Sequence, residues 1–423
     1  MLFSLFAATV LLSCHAVFHQ DRFVISFWVD PIVPTNEFLF EYTRIASANF
    51  TAVLGGFGAT DPASVTASIA TCAALDLVCI PSACETAPDA PGPSGSCVGL
   101  PGAWGFQLKD EPSASDFPAL RIWADSVSQR SPDALRFINL LPNYANTVQW
   151  GTGDYESYVT SFINIVHPDI LCFDAYPIFS QIQPFPFDDP SNETQAGYLR
   201  NLATIRTAAL NANLPFWNFF NSMPYGGRSD LTEAQMKWQV FTALAHGSKG
   251  ALYFCYWTPT GTTFEYANAI ITRRAVWGAP ETAPIIYVPG PHFEHAHTIN
   301  TKLRNFGQQL FYSNSTNIEY ARSNSSAVII NVDGNDINSI SGSGCGTGFD
   351  TVIGLFDMSN SSSRGVLIVN NDVTTPTLYT LGLVTPNATI LEDGAPIYDD
   401  APDIVGLQIY IEAGDARLLI FPQ

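Results

Sequence analysis

The sequence predicts an α/β protein, a (β/α)8 TIM barrel followed by a small C-terminal antiparallel β-sandwich. Three observations carry this. Eight short β-branched or aromatic runs alternate with helix-period segments, and they begin about 25 to 45 residues apart, the spacing of βα units. The alternation fills roughly 250 residues, the size of such a barrel. After residue 301 the pattern changes to short alternating strands between Ser, Asn and Gly clusters.

In chain order, the strand runs are residues 23–29, 50–55, 75–81, 104–109, 135–141, 170–173, 215–220 and 251–256. Between them, Tyr155, Tyr158, Val159, Phe162, Ile163 and Val166 recur at helical spacing, as do Leu199, Leu202, Ile205 and Ala209. Residues 229–233 supply polar capping groups ahead of Trp238, Phe241 and Leu244. An open, doubly wound sheet is the competing arrangement. Against it, Val29-Asp30-Pro31 follows the first strand where a glycine-rich phosphate loop would stand. Residues 284–297, rich in Pro and His, read as the linker. The clearest later strands are 327–331, 352–356, 365–370, 378–381, 407–411 and 417–421. The division is residues 1–16 as a signal peptide, 17–300 as the barrel and 301–423 as the sandwich.

Composition supports a large folded core, since the 423 residues are 47% hydrophobic and 13% aromatic. The first sixteen residues are apolar, too short to span a bilayer comfortably, and end in Cys14-His15-Ala16, a small-residue cleavage pattern. They read as a secretory signal, which makes the protein extracellular. Sequons at Asn49, Asn192, Asn314, Asn324, Asn360 and Asn387 agree with export. Cys84 and Cys97 flank a Pro/Gly/Ser-rich loop and are expected to form a disulfide, whereas Cys79, Cys172 and Cys255 lie in apolar strands as buried thiols. No later run is long and apolar enough for a membrane helix. A net charge of −20 with only 18 Lys and Arg argues against nucleic acid or an anionic membrane as partner. The expected ligand is a neutral or cationic molecule, and a carbohydrate fits; oligomeric state is left open.

The most informative segment is residues 104–112, an apolar run ending in Asp110-Glu111-Pro112. Barrel enzymes place catalytic groups where strands end. Laid side by side, the strand ends offer Asp30, Asp110, Glu111, Asn143, Tyr144, Asp174, Tyr176, Asn218, Asn221 and Trp257. Carboxyls can work on a glycosidic oxygen, amides on hydroxyls, and aromatic faces on the C–H face of a sugar ring. Glu111 is the candidate general acid, because the Asp110 charge beside it would raise its pKa. The alternative is that Asp110 caps the next helix while Glu111 pairs with Lys109 or an arginine. Asp174 is the candidate second carboxylate, or a structural acid. Trp28 and Trp257 are sugar platforms or core aromatics. The histidines at 292, 295 and 297 have a metal-site composition without the helical ligand spacing, so neither a metal nor a cofactor is expected.

The strings FWVDP, FQLKDEPSASDFPAL, INLLPNYA, DILCFDAYP, LPFWNF, ALAHGSKGALYFCYWTP and GDARLLIF occur in this order. With them the chain resembles glycoside-hydrolase-like barrels allied to clan A and to family 42 β-galactosidases, over nearly the whole mature length. The resemblance implies a retaining glycosidase with a Glu acid/base after the fourth strand, where Glu111 stands, and a Glu nucleophile after the seventh. Two departures matter: Asp110 replaces the usual Asn before the acid, and the seventh strand ends without a carboxylate. The Asp-Glu pair also resembles families 123 and 20, in which the substrate's acetamido group is the nucleophile. The expectation is a secreted glycoside hydrolase using Glu111, Asp110 and Asp174, with Asp30, Asn143, Tyr144, Tyr176, Asn218 and Trp257 binding substrate. The alternative is a catalytically inactive glycan-binding or structural surface glycoprotein.

Overall fold

The computed structural model describes residues 18–84, 95–178, 197–226, 228–259, 269–274, 286–323, 328–329, 337–343, 349–358, 363–383, 389–392, 395–398 and 406–421. The signal segment and the sequons at Asn192, Asn324, Asn360 and Asn387 lie outside the described residues.

The first part alternates strand and helix: β1 (Val24–Phe27), α1 (Phe38–Ser47), β2 (Ala52–Leu54), α2 (Pro62–Ala74), β3 (Val78–Ile80), β4 (Gly105–Asp110), α3 (Phe117–Arg130) and β5 (Leu135–Leu140). It continues with α4 (Thr147–Trp150), α5 (Tyr155–Val166), β6 (Leu171–Asp174), α6 (Tyr198–Ala212), β7 (Phe216–Asn221), α7 (Glu233–Ala245) and β8 (Gly250–Phe254). A hairpin of β9 (Ile271–Arg274) and β10 (Ile286–Pro289) then leads into α8 (Pro291–Leu310). Local chemistry explains the boundaries. Asp61 caps α2 through the Ala63 and Ser64 amides with Pro62 in the first turn, and Thr232 caps α7 through the Gln235 amide.

One parallel sheet runs β1-β8-β7-β6-β5-β4, and β2 pairs with β3 in parallel. Backbone bonds join the two sheets at both edges: the Thr51 amide donates to Ile25 O at 2.9 Å, and the Gln107 amide to Pro81 O at 2.9 Å. The eight parallel strands therefore neighbour one another in chain order, with β8 returning to β1. Side chains alternate across this wall. Val24, Leu54, Ile80, Phe137, Cys172, Trp217, Phe219 and Leu252 cluster on the inner side, while the other face packs on the helices.

The segment 284–297, expected to be a linker, instead holds β10 and the first turns of α8, because Pro291 opens a helix whose Ala296, Ile299, Leu303 and Phe306 are buried. The same helix carries past residue 301, the expected boundary. His292 in it bonds His295 at 3.2 Å and Asp230 at 2.8 Å.

Beyond α8 the chain is antiparallel: β11 (Ser313–Ser323), β12 (Val328–Ile329), β13 (Ile337–Ser343), β14 (Phe349–Met358), β15 (Arg364–Asn370), β16 (Thr377–Leu383), β17 (Thr389–Glu392), β18 (Ala395–Tyr398), β19 (Leu407–Ile411) and β20 (Ala416–Phe421). Two sheets form, ordered β11-β14-β15-β20-β17-β18 and β12-β13-β16-β19. Ile353, Leu355, Ile368 and Leu419 of the first share an apolar cluster with Ile340, Tyr379, Leu381 and Ile409 of the second. The opposite face of the first sheet, through Val352, Phe356, Leu367 and Leu418, joins the core shared with α7 and α8.

Candidate active site

The site lies where the parallel strands end. A β-bulge falls between Gln107 and Lys109, so that Lys109 pairs with Ile138 and Asp110 with Asn139. The extra residue shifts the alternation by one, and Asp110 rather than Lys109 shares the inner face with Asn139. Asn139 Nδ2 donates to Asp110 Oδ1 at 3.0 Å and to Asp174 Oδ1 at 3.3 Å, joining the ends of three adjacent strands. The next residue, Glu111, has φ of 44° and its amide donates to Asn139 O at 2.9 Å. Its carboxyl hydrogen-bonds Asp174. Asp110 caps no helix: the 3-10 turn Ala114–Asp116 ahead of α3 is closed by the Ser113 amide donating to Asp116 Oδ2 at 2.9 Å.

Asp110 and Glu111 open to solvent at the mouth, yet the surrounding wall removes much of their hydration, and Asp174 is buried. Burial raises the pKa of Asp110, partly offset by the Asn139 hydrogen bond and the Lys109 charge. Burial, then the Asp110 charge, raises Glu111, and its bond to Asp174 opposes this. Asp174 is pushed well above the usual carboxylate range by burial, then by the charges of Glu111 and Asp110. The Glu111–Asp174 contact thus favours a proton on Asp174, donated to an ionised Glu111.

Aromatic rings stand around the carboxyls, Trp28, Tyr225 and Phe254 half-buried, Phe57 and Tyr144 more exposed, and Tyr176 and Phe219 buried. Trp28 meets Phe57 edge-on at 5.5 Å and Phe219 at 5.8 Å. Across the mouth, Tyr176, Tyr225 and Phe254 pack mutually at 4.9 to 5.7 Å. The Arg228 guanidinium lies 4.7 Å from the Tyr225 ring centroid and donates to Tyr176 O at 3.3 Å. The Tyr144 hydroxyl accepts from the Tyr176 amide at 3.3 Å, and burial followed by the Asp174 charge raises its pKa.

Of the residues singled out by sequence, Asp110, Glu111, Asp174, Tyr144 and Tyr176 come together at this mouth. Four of the other five are engaged elsewhere. Asp30 is buried and accepts the Phe57, Gly58 and Ala59 amides at 2.8 to 3.2 Å, tying the end of β1 to the next loop. Burial lifts it to about 6 against those three bonds. Asn143 donates to Gly197 O at 3.1 Å and its amide to Asn201 Oδ1 at 2.8 Å, clamping the β5 loop to α6. Asn218 falls on the helix side of β7, where the Tyr198 hydroxyl donates to it at 2.8 Å, because inner and outer positions alternate about Trp217 and Phe219. Trp257 is 1% exposed and stacks on Tyr287 at 4.3 Å, so it offers no open platform.

Sequence reasoning missed Asn139 and Arg228. Asn139 was legible as the polar member of the inner series Leu135, Phe137, Asn139. Arg228 stands in a loop, where no periodicity marks it. Asn221 occupies the inner position at the end of β7, its side-chain amide nitrogen buried without a hydrogen-bond partner among the described residues.

The expected disulfide is present between Cys84 and Cys97, while Cys72, Cys79, Cys172 and Cys255 are buried free thiols. Among the described residues no helix is long and apolar enough to cross a membrane.

No family model matches the chain, and no curated protein matches it in sequence. Among solved structures, a glycoside hydrolase family 5 protein from Bacteroides vulgatus is similar at 11% identity and TM-score 0.46, over 97% of this chain and 93% of that one. A β-galactosidase from the psychrophilic Marinomonas ef1 is similar at 9% identity and TM-score 0.48, over 68% and 60%. A family 5 mannosidase from Rhizomucor miehei is similar at 10% identity and TM-score 0.39, over 66% and 92%. These neighbours are glycoside hydrolases. The functional reading below rests on this chain's own residues.

Proposed function

We propose that the chain is a secreted glycoside hydrolase that cleaves O-glycosidic bonds in an oligo- or polysaccharide, built on a (β/α)8 barrel braced by a β-sandwich. The observation that carries this reading is the convergence of Asp110, Glu111 and Asp174 on Asn139 beneath an aromatic rim. Carboxyls whose environments raise their pKa can hold a proton near neutral pH for transfer to a leaving oxygen. Glu111 is the acid, Asp110 its electrostatic partner, and Asp174 the second carboxyl. As the sugar enters, the Glu111–Asp174 bond opens and the shared proton passes through Glu111 to the glycosidic oxygen as the bond to the anomeric carbon breaks. Asp174, left as carboxylate, then takes a proton from the water that attacks that carbon. Tyr144 and Tyr176 position the ring. The disulfide supports an oxidising compartment, and Asn49 and Asn314 are sequons on the described surface.

One observation favours the second reading, a glycan-binding protein without catalysis. A direct Glu111–Asp174 hydrogen bond is closer than the roughly 5 to 5.5 Å of retaining pairs or the roughly 6.5 to 9.5 Å of inverting ones, and β7 ends in Asn221 rather than a carboxylate. The test is reducing-sugar release by the secreted protein and its Glu111→Gln variant across galactosides, glucans, arabinans and N-acetylhexosaminides, with binding followed in parallel. The expected result is cleavage that falls about 100-fold to 10,000-fold in the variant while binding persists. Unchanged turnover removes Glu111 from its role, and binding without cleavage on any substrate establishes the second reading.

A further inference from the structure

A cavity of about 900 Å³ opens at the end of the barrel opposite the carboxyl cluster, between the starts of β5 to β8, the last turn of α6 and the first residues of β11. Its charge is the reverse of the chain's. Against a net −20 overall, the lining holds Arg121, Arg136, Arg206 and Lys249 and only two carboxylates, Asp125 and Asp169. Those two are already taken, by Arg121 at 2.8 Å and by Arg136. Among the described residues, Arg206 donates only to Ser315, at 3.0 Å to the hydroxyl and 3.3 Å to the carbonyl. Lys249 is answered by the carbonyls of Leu310 and Ser313. A guanidinium carries five N–H donors and an ammonium three. Two are engaged on each, so further donors remain on both cations at the cavity wall. Burial without a neighbouring carboxylate holds Lys249 down to about 8 and lowers Arg206. On the rim of the cavity, Tyr312 is 52% exposed.

We propose that this cavity is a binding site for an anionic saccharide, its sulfate or carboxylate group received by Arg206 and Lys249 and a sugar ring laid on Tyr312. An oxyanion supplies the acceptors that the two cations lack, and an exposed aromatic face is what a sugar's C–H surface packs on. The volume suits a short oligosaccharide. The site is remote from the mouth and independent of catalysis there.

The experiment is calorimetric titration of the intact secreted protein with a sulfated trisaccharide, its uronic-acid counterpart and the neutral parent. Because Asn314 also lines the cavity and is a sequon, the Asn314→Gln protein is titrated beside it. Both anionic sugars should bind at least tenfold more tightly than the neutral one. Arg206→Gln and Lys249→Gln should each lose about tenfold, the scale of one charge-assisted contact. Arg206→Lys should retain more affinity than Arg206→Gln. Near-UV circular dichroism identifies any variant that fails to fold, and Arg206→Gln, half-buried at the cavity wall, then decides alone. Binding only in the Asn314→Gln protein still supports the site, with an attached glycan covering it. Equal binding of the neutral parent or undiminished binding by folded Arg206→Gln overturns the proposal, as does no binding by either protein.

Discussion

Two buried aspartates, one at the end of β6 and one beside α7 and α8, show how differently this chain treats charge. Asp174, at the barrel mouth, has carboxyls for neighbours and is raised well above its ordinary pKa. Asp415, at the seam between barrel and β-domain, accepts from Lys302 of α8 at 2.7 Å and lies 3.5 Å from Lys237 of α7, and their charges hold it low against burial. The backbone follows the same division. At the seam the left-handed position is a glycine, Gly414, with φ of 67°. At the mouth, beside the glycines Gly56 and Gly226, Glu111 and the β-branched Val29 also take left-handed positions, with φ of 44° and 62°. Burial alone therefore decides neither ionisation nor strain. The seam satisfies its charges and its backbone, whereas the mouth keeps both under tension, as sites of function do.

The severest way to break the comparison is to unpair the seam. Lys302 is 2% exposed, and Lys302→Met leaves the buried Asp415 without its closest lysine, held by its longer contact to Lys237 and by the Ala416 amide at 2.7 Å. Losing one partner of a buried pair costs about 3 to 5 kcal/mol, and the remaining lysine holds the expected loss near the lower figure. Urea unfolding measures it; a midpoint within error of wild type would mean that the pair adds nothing. Next comes Gly414→Ala. A Cβ there would lie 2.1 Å from Ala234 O, and the left-handed backbone adds its own penalty, so a loss of about 2 kcal/mol is expected by the same assay.

The two aspartates also predict opposite pH dependences. An acid raised on folding binds its proton more tightly in the native state, so stability falls as pH rises from near 4, the unfolded value, toward the folded one. Asp174 contributes in that sense. Asp415, lowered on folding, contributes stability above the unfolded value that is lost as pH falls toward its own lower pKa. Asp174→Asn should flatten the decline between about pH 4 and neutrality while leaving the acid limb unchanged. An identical slope in the variant would show that Asp174 is not the group holding the proton.

Much of this architecture was legible in sequence, and the exceptions have causes. All eight parallel strands fall within or beside their expected runs, and the α5 face of Tyr155, Tyr158, Val159, Phe162 and Val166 is buried, because period and burial come from the same side chains. In the β-domain, the 352–356, 365–370 and 407–411 strands were readable from their apolar runs. The eleven-residue β11, written in Ser and Asn, was not, since it is held by its pairing with β14. Site residues were legible as strand ends but not as directions. The bulge that turns Asp110 inward leaves no mark in composition, and Asn218 points to α6 only because Trp217 and Phe219 take the interior. The α8 helix was obscured by the Pro and His content of its first turn, which gave the appearance of a linker.

The smallest expected effect sharpens the contrast most. If the mouth stores backbone strain at Glu111, a glycine there should relieve what an alanine does not. Left-handed backbone costs an L-residue about 1 to 2 kcal/mol, and glycine gives back about 0.5 to 1 kcal/mol through its greater freedom when unfolded. Glu111→Gly should therefore be more stable than Glu111→Ala by about 0.5 to 1 kcal/mol, read as a higher urea midpoint with an unchanged slope. Both remove the same carboxyl and its bond to Asp174, so their difference isolates the backbone from the charge. At Gly414 the sign is reversed, with glycine favoured in the native chain and alanine the loss. Equal midpoints for the two Glu111 variants would mean that the strand end is unstrained, and that the mouth differs from the seam in its charges alone.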